Sequence, residues 1–463
     1  MFRLAPRDRE ELPDVIAFAD LASRRTFLCD HREVFVARAP GRLDVMGGIA
    51  DYSGSLVMPM PIAEACLVGV QRAEDGVIRI VSIGDDRDHT FELAAARAGE
   101  LFDAKHRGKW YSYVAGVFAI LRDAKGIDFS AGARVLVRSD VPIGKGVSSS
   151  AALEVSTMNA VCAAFGIGIE PRELAILCQR VENTIVGAAC GVMDQMASNC
   201  GTEGSLLSMV CQPAVVGDPV KIPRELGVWG IDSGVRHSVS GSDYGSVRAA
   251  AFMGYRIIAE VAGLNVEGTG DGLVSVEDTR WNGYVGNVGV NEYESNFRDS
   301  IPDSLTGREF FERYLGTTDK VAAIDRDRDY AVKASTEHAI YESSRVRDFA
   351  VMLGGPIDDK SASKLGEMLY GSHVGYRNCR LTEEGTELLV SIAVERRSDG
   401  IYGARITGGG TGGTVTILAD SDAGDVVDQI AAIYRERAGR GGRIFQGSSP
   451  GCAEYGVVRL VPS

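Results

Sequence analysis

The segment V-P-I-G-K-G-V-S-S-S-A-A-L-E, residues 141–154, sets two glycines around Lys145 and three serines ahead of an apolar helical repeat. Backbone N–H groups at a helix N-terminus have no partner inside the helix and sit at the positive end of its dipole. They therefore take anions, and glycine lets an oxyanion approach the main chain. Phosphate binding is the chemistry this spacing offers; a capped helix after a tight turn is the plainer alternative, because caps use the same residue types. The segment is not the G-x-x-x-x-G-K-[ST] loop, since Lys145 lies between the glycines and the serines follow Val147. A second run, I-T-G-G-G-T-G-G at 406–413, has five glycines among residues 408–413. Its expected role is steric: side chains there would collide with a ligand or with the serine segment.

Strands and helices must position such loops. Residues 34–38, 66–70, 77–81 and 133–138 are rich in β-branched residues with partial alternation, and they predict strands. Ala151, Val155, Met158, Cys162 and Phe165 recur at helical spacing, with Ser150 placed to cap the first turn. After Pro171, a stripe of Leu174, Leu177, Val181 and Ile185 predicts a second helix ending near Gly187. Three prolines within 213–223 precede a strand, V-W-G-I-D, and divide the chain into lobes 1–222 and 223–463. Residues 264–305, rich in Gly, Asn and Asp with Trp281, Tyr284 and Tyr293 embedded, predict a lid or insertion, which extends to about residue 335. A helical pattern at 340–353 and a strand at 414–418 complete the second lobe.

Composition narrows the partners. A net charge of −14 over 463 residues argues against broad contact with a nucleic-acid backbone. The start, M-F-R-L-A-P-R-D-R-E-E-L, has no apolar signal core, and no stretch reaches the ~18–20 apolar residues of a membrane span, which predicts a cytoplasmic protein. Nine scattered cysteines without a C-x-x-C pair read as reduced packing residues, Cys190 included. His237 follows a strand and reads as structural rather than as a base.

A-P-G-R…D-Y-x-G at 39–54, the serine segment at 141–152 and the glycine run at 406–413 together resemble, in order and separation, the three motifs of GHMP kinases of the galactokinase branch. The resemblance covers about residues 30–463. It implies a two-lobed α/β (α+β) fold, with a ribosomal-S5-like N-terminal lobe and a ferredoxin-like C-terminal lobe. It implies that Gly144, Gly146, Ser148, Ser149 and Ser150 hold the phosphates of ATP. Trp110 and Tyr113, in W-Y-S-Y-V-A-G-V at 110–117, would border the adenine. V-E-N-T-I-V-G-A-A-C-G-V-M-D-Q at 181–195 resembles the stretch that carries a magnesium-binding glutamate, here Glu182, and a catalytic aspartate, here Asp194. Mg2+ keeps several waters, so one carboxylate with the Ser150 hydroxyl suits it. Phosphoryl transfer needs in-line positioning and charge neutralisation more than covalent help. Asp194 would accept the proton of the attacking hydroxyl, while Arg42 keeps that carboxylate ionised and counters charge on the transferred group. The plainer readings are a solvated glutamate on a helix flank and a structural Arg–Asp pair. Asp51 and Tyr244, the latter closing D-S-G-V-R-H-S-V-S-G-S-D-Y at 232–244, would line the sugar.

One departure carries information. Where galactokinases usually have glutamate and histidine, around the exocyclic hydroxymethyl of galactose, this chain has Gly48 and Ile49. L-Arabinose in its pyranose form shares galactose stereochemistry at the common ring carbons and lacks that hydroxymethyl. A glutamate there would be a partnerless polar group costing on the order of 1–3 kcal/mol, which Gly-Ile avoids while filling space. Residues 41–57, 210–216 and 230–239 also resemble the kinase region of plant L-arabinokinases. The resemblance implies ATP-dependent phosphorylation of the anomeric hydroxyl of L-arabinose to give β-L-arabinose 1-phosphate. The plant proteins carry an additional N-terminal glycosyltransferase-like region, so a free-standing kinase is expected here. A galactokinase, a galacturonokinase and a non-catalytic galactokinase-like sugar sensor are the alternatives. A carboxylate substrate would favour Arg or Lys near 48–49, and neither is present.

Overall fold

Val34–Met46 and Leu56–Arg72 form a long antiparallel pair whose register runs from Phe35↔Val70 to Met46↔Met58. The strand predicted over 34–38 thus continues through A-P-G-R. Register shifts at Pro40/Arg42 and Asp44/Met46 mark bulges, which is where a sheet tolerates proline and re-aims a side chain. The computed structural model describes residues 2–463 except 8–9, 30, 85–87, 95–105, 107, 130, 189 and 237–241. His237 lies outside the described residues.

This pair is the centre of the first sheet, ordered Phe2–Leu4, Val458–Pro462, Val34–Met46, Leu56–Arg72, Ala133–Ser139, Val77–Ile83, Asp88–Ala94. The hairpin Met209–Val210 and Val215–Val216 adds onto Leu56 and Val57. Trp110–Lys125, Ser149–Phe165 and Pro171–Arg180 close the core over it through Phe118, Val155, Met158 and Leu174. The second sheet is antiparallel, ordered Ile401–Ile406, Thr414–Asp420, Leu226–Asp232, Ile444–Gln446. Trp229 and Ile417 meet Ile392 and Ile430 from the covering helices Glu384–Glu395 and Gly424–Ala438. The fold is α/β in two lobes. Past the second sheet the chain comes back to the first: the short helix Cys452–Tyr455 puts Tyr455 in a core with Phe18 and Val34, and Val458–Pro462 pairs into the first sheet between Phe2–Leu4 and Val34–Met46. That pairing joins opposite ends of the chain, and nothing local in the sequence announces it.

The glycine-rich segment after residue 264 is packed structure. Trp281 and Tyr293 are buried in a core shared with Ser242–Val261 and Val332–Leu353. Asp278 organises its turn, accepting from the backbone N–H groups of Arg280, Trp281 and Gly283 and from the Tyr255 hydroxyl. The unit braces the 50–55 turn: Gly286 N–H donates to the Ser53 carbonyl at 2.8 Å, and Tyr284 packs against Gly54. Among the described residues no helix is long and apolar enough to cross a membrane.

Candidate active site

A cavity of about 430 Å³ opens between the serine segment, the Glu182 to Asp194 stretch and the glycine run 406–413, the third of the three motifs in chain order and hereafter the third glycine run. Arg42, Ile49, Asp51, Trp110, Tyr113, Gly144, Gly146, Ser148, Ser149, Ser150, Glu182, Asp194 and Tyr244 line it; Gly48 does not.

Gly144 and Gly146 take φ of 73° and 71°, the left-handed region that glycine enters without steric cost. Helix Ser149–Phe165 then begins with Ser148 at its N-cap, at φ 60° and ψ 48°, making no side-chain cap. Ser150, expected as the cap, lies inside the first turn. The Ser148 hydroxyl donates instead to Asp194 Oδ2 at 2.5 Å. A serine held left-handed with its cap forgone is local strain of the kind that active sites maintain. The third run presses on this segment: a Cβ on Gly408 would come within 2.8 Å of the Gly146 carbonyl and 3.4 Å of Arg42 Nη2. The steric role expected of those glycines is met there.

Asp194 stands in the first turn of Met193–Cys200. Arg42 reaches it from the bulged strand with Nε to Oδ1 and Nη2 to Oδ2, both at 2.9 Å, while Nη1 donates to the Gly146 carbonyl at 2.7 Å. One guanidinium therefore fixes the aspartate and the backbone of the serine segment together. Its side chain is 4% exposed and that of Asp194 is 26% exposed, so the carboxylate keeps the access to the cavity.

Glu182 lies on a single π-turn, Val181–Val186, which interrupts the helix predicted to run on from Pro171. Such turns recur at functional sites because they rotate a side chain out of the regular stripe. Glu182 is buried rather than solvated on a flank, and Gln195 Nε2 donates to it at 2.7 Å. Burial first, and the nearby Asp194 second, raise its carboxyl to about 7, with the Ser150 hydroxyl bonded to it. A carboxylate and a hydroxyl, in a pocket where acidic groups crowd, fit a hard cation that brings phosphate and water oxygens as its other ligands. Gln195 also donates to Glu154 at 3.2 Å, a fully buried carboxyl that burial, and then Glu182, push well above the usual carboxylate range. Sequence reading missed Glu154 and Gln195. The position of Glu154 on the apolar stripe with Ala151 and Met158 was the available signal. Trp110 and Tyr113 both line the cavity, as do Val137 and Leu153. Tyr113 is half-buried, and desolvation first, then the Glu182 charge, raise its phenol.

At the other end, Asp51 is buried and accepts from the Tyr244 hydroxyl at 2.6 Å. Gly191 makes room for it: a Cβ there would lie 1.8 Å from Asp51 Oδ2. Burial, with the Asp194 charge adding, raises the Asp51 carboxyl to about 6. Ile49 holds φ 49°, an outlier for a β-branched residue, and packs with Val247, Tyr376, Leu381 and Ile406. Gly48 departs from expectation. A Cβ there would meet Tyr376 Oη at 1.9 Å, Arg405 Nη2 at 2.2 Å and Asp44 Oδ2 at 2.3 Å. The space a side chain at 48 needs is filled from behind by a buried Asp44–Arg405 ion pair at 3.0 Å.

Residues 24–72 match the galactokinase galactose-binding signature, and residues 112–202 match the N-terminal domain of GHMP kinases. The galactokinase of Chloroflexus aurantiacus is 30% identical over 90% of this chain and 91% of its own length. The chain belongs to the galactokinase family of GHMP kinases. This GHMP kinase is 42% identical, over 92% of its length, to the L-arabinokinase of Arabidopsis thaliana, and it spans 47% of that protein. Galactokinase from Lactococcus lactis, solved in complex with galactose, matches with a TM-score of 0.73 at 21% identity, covering 95% of this GHMP kinase and 99% of that chain. A mevalonate kinase matches with a TM-score of 0.53 at 13% identity, covering 89% and 99%. These structural likenesses carry the two-lobed fold; kinases of this family act on small molecules with ATP.

Proposed function

We propose that this GHMP kinase uses Mg·ATP to phosphorylate the anomeric hydroxyl of L-arabinose, giving β-L-arabinose 1-phosphate. The observation that carries the choice of sugar is the apolar wall that Ile49 makes: Ile49 lines the cavity, and position 48, backed by the buried Asp44–Arg405 pair, has no room to add a polar side chain to it. A pentopyranose leaves no hydroxymethyl to be satisfied at that wall. The similarity to an L-arabinokinase supports the same choice.

In this reading the serine segment takes the ATP phosphates, with Trp110 against the base. Mg2+, when bound by Glu182 and Ser150, would neutralise charge on the phosphates. Asp51, fixed by Tyr244, accepts from ring hydroxyls, and Asp194 takes or orients the proton of the attacking hydroxyl while Arg42 counters charge on the transferred group. The test is the product: with Mg·ATP and L-arabinose, phosphorus NMR should show one sugar phosphate coupled to C1 in the β configuration. Phosphate on another carbon, or no turnover with L-arabinose, D-galactose or D-galacturonate, would defeat the proposal.

The raised Asp51 carboxyl gives a pH prediction. Its folded value, about 6 against 3.8 for the free group, means that the ionised form is held at a cost above that range. A displacement of this size corresponds to at most about 3 kcal/mol. Asp51→Asn should therefore raise Tm at pH 7.5, and the gain should shrink as pH falls from about 6 towards 4, where the folded wild type takes up its proton. In the wild type kcat/KM for sugar should fall on the acid side with a midpoint near 6, a limb the variant should lack along with most of its activity. Thermal melts and pH profiles check both.

A further inference from the structure

Lys145 sits between the two glycines of the phosphate segment, yet Gly144 and Gly146 line the cavity and Lys145 does not. Its Nζ lies 3.0 Å from Oδ2 of Asp232, the last residue of the second-sheet strand Leu226–Asp232. Asp232 is held on two sides. Its Oδ1 accepts from Gly234 N–H at 2.8 Å, and Gly442 packs so close that a Cβ there would come within 2.0 Å of Oδ2. The main chain of Lys145 is tied to the same lobe: its carbonyl accepts from Thr414 Oγ1 at 2.8 Å and abuts Gly413, where a Cβ would come equally near, 2.8 Å. The paired side chains are 22% and 6% exposed, so removing one leaves the other charge largely desolvated.

We propose that Lys145 is a positioning residue for the nucleotide. With Asp232 it clasps the serine segment of the first lobe to the second sheet and so fixes where Gly144 and Gly146 meet the phosphates. This rests on the reading that the cavity takes ATP. A lysine in a phosphate-binding run would ordinarily be assigned to the phosphates themselves; here the ammonium points into the other lobe.

The experiment compares Lys145→Met, Asp232→Asn, their combination and Lys145→Arg in the full chain, by Mg·ATP titration calorimetry and steady-state kinetics. Each neutralising variant should raise the Kd and KM for ATP on the order of tenfold, and the double variant should be no worse than the poorer single one, as for two residues acting as a unit. Values of kcat and sugar KM should stay within about twofold, and Lys145→Arg should restore most of the affinity. If Lys145 contacts phosphate instead, Lys145→Met weakens ATP binding while Asp232→Asn leaves it unchanged or tighter, which overturns the clasp. Should Asp232→Asn fail to fold, Thr414→Val takes its place: weaker ATP binding that does not add to Lys145→Met supports the clasp, and unchanged binding overturns it. A wild type that does not bind Mg·ATP overturns the nucleotide reading and the clasp with it; a wild type that binds while all variants match it overturns the clasp alone.

Discussion

Asp194→Asn should lower kcat by about 10²–10⁴, the range general-base assistance contributes, while Mg·ATP affinity changes by no more than about threefold. The carboxylate accepts from both Arg42 and the Ser148 hydroxyl, and the amide can keep part of that pairing because it is nearly isosteric. Asp194→Ala should lose as much activity and also destabilise, because it leaves the buried Arg42 guanidinium without its anion. Stopped assays of ADP release, with calorimetric titration of nucleotide and sugar, separate these effects. An asparagine variant that retained a tenth or more of wild-type turnover would confine Asp194 to a structural ion pair.

Gly48→Ala should cost about 3 kcal/mol or more and give a protein that melts far below the wild type, if it folds. The three atoms that a Cβ would strike are side-chain ends, which elsewhere could swing aside. Here they cannot. Tyr376, Arg405 and Asp44 are fully buried, and Arg405 also donates to the carbonyls of Val45 and Ile406. Tyr376 in turn donates to the Gly408 carbonyl at 2.7 Å, so any shift is passed to the third glycine run beside Arg42. Gly48→Glu should accordingly fail to create a galactose enzyme by itself. Differential scanning calorimetry of Gly48→Ala decides the matter; an unchanged Tm would show that the cluster yields.

Much of this site could be read from local signals. Glycines needing left-handed backbone, serines opening a helix and β-branched runs act over a few residues, so the serine segment, the third glycine run and the strands around Arg42 were legible. Trp281 and Tyr293 were too aromatic for a loose linker, and they are core. What escaped depends on distant partners. Ser148 gives up its cap for an aspartate on another helix. Glu182 is turned inward by a π-turn that the regular apolar stripe conceals. Gly48 was legible as a missing polar group, but its reason is a buried ion pair whose arginine lies 361 positions from Asp44. Lys145 looked like part of a phosphate motif and pairs directly with Asp232 of the second sheet, a contact set by how the serine segment docks on that sheet.

The ratio of kcat/KM for L-arabinose to that for D-galactose, measured with Mg·ATP on one preparation, is the most direct test of the apolar wall. Discrimination over a single missing carbon in such a pocket is about 10–200-fold, so arabinose should be preferred by at least the lower figure. Equal or better turnover of galactose would mean that Gly48 and Ile49 do not select the sugar.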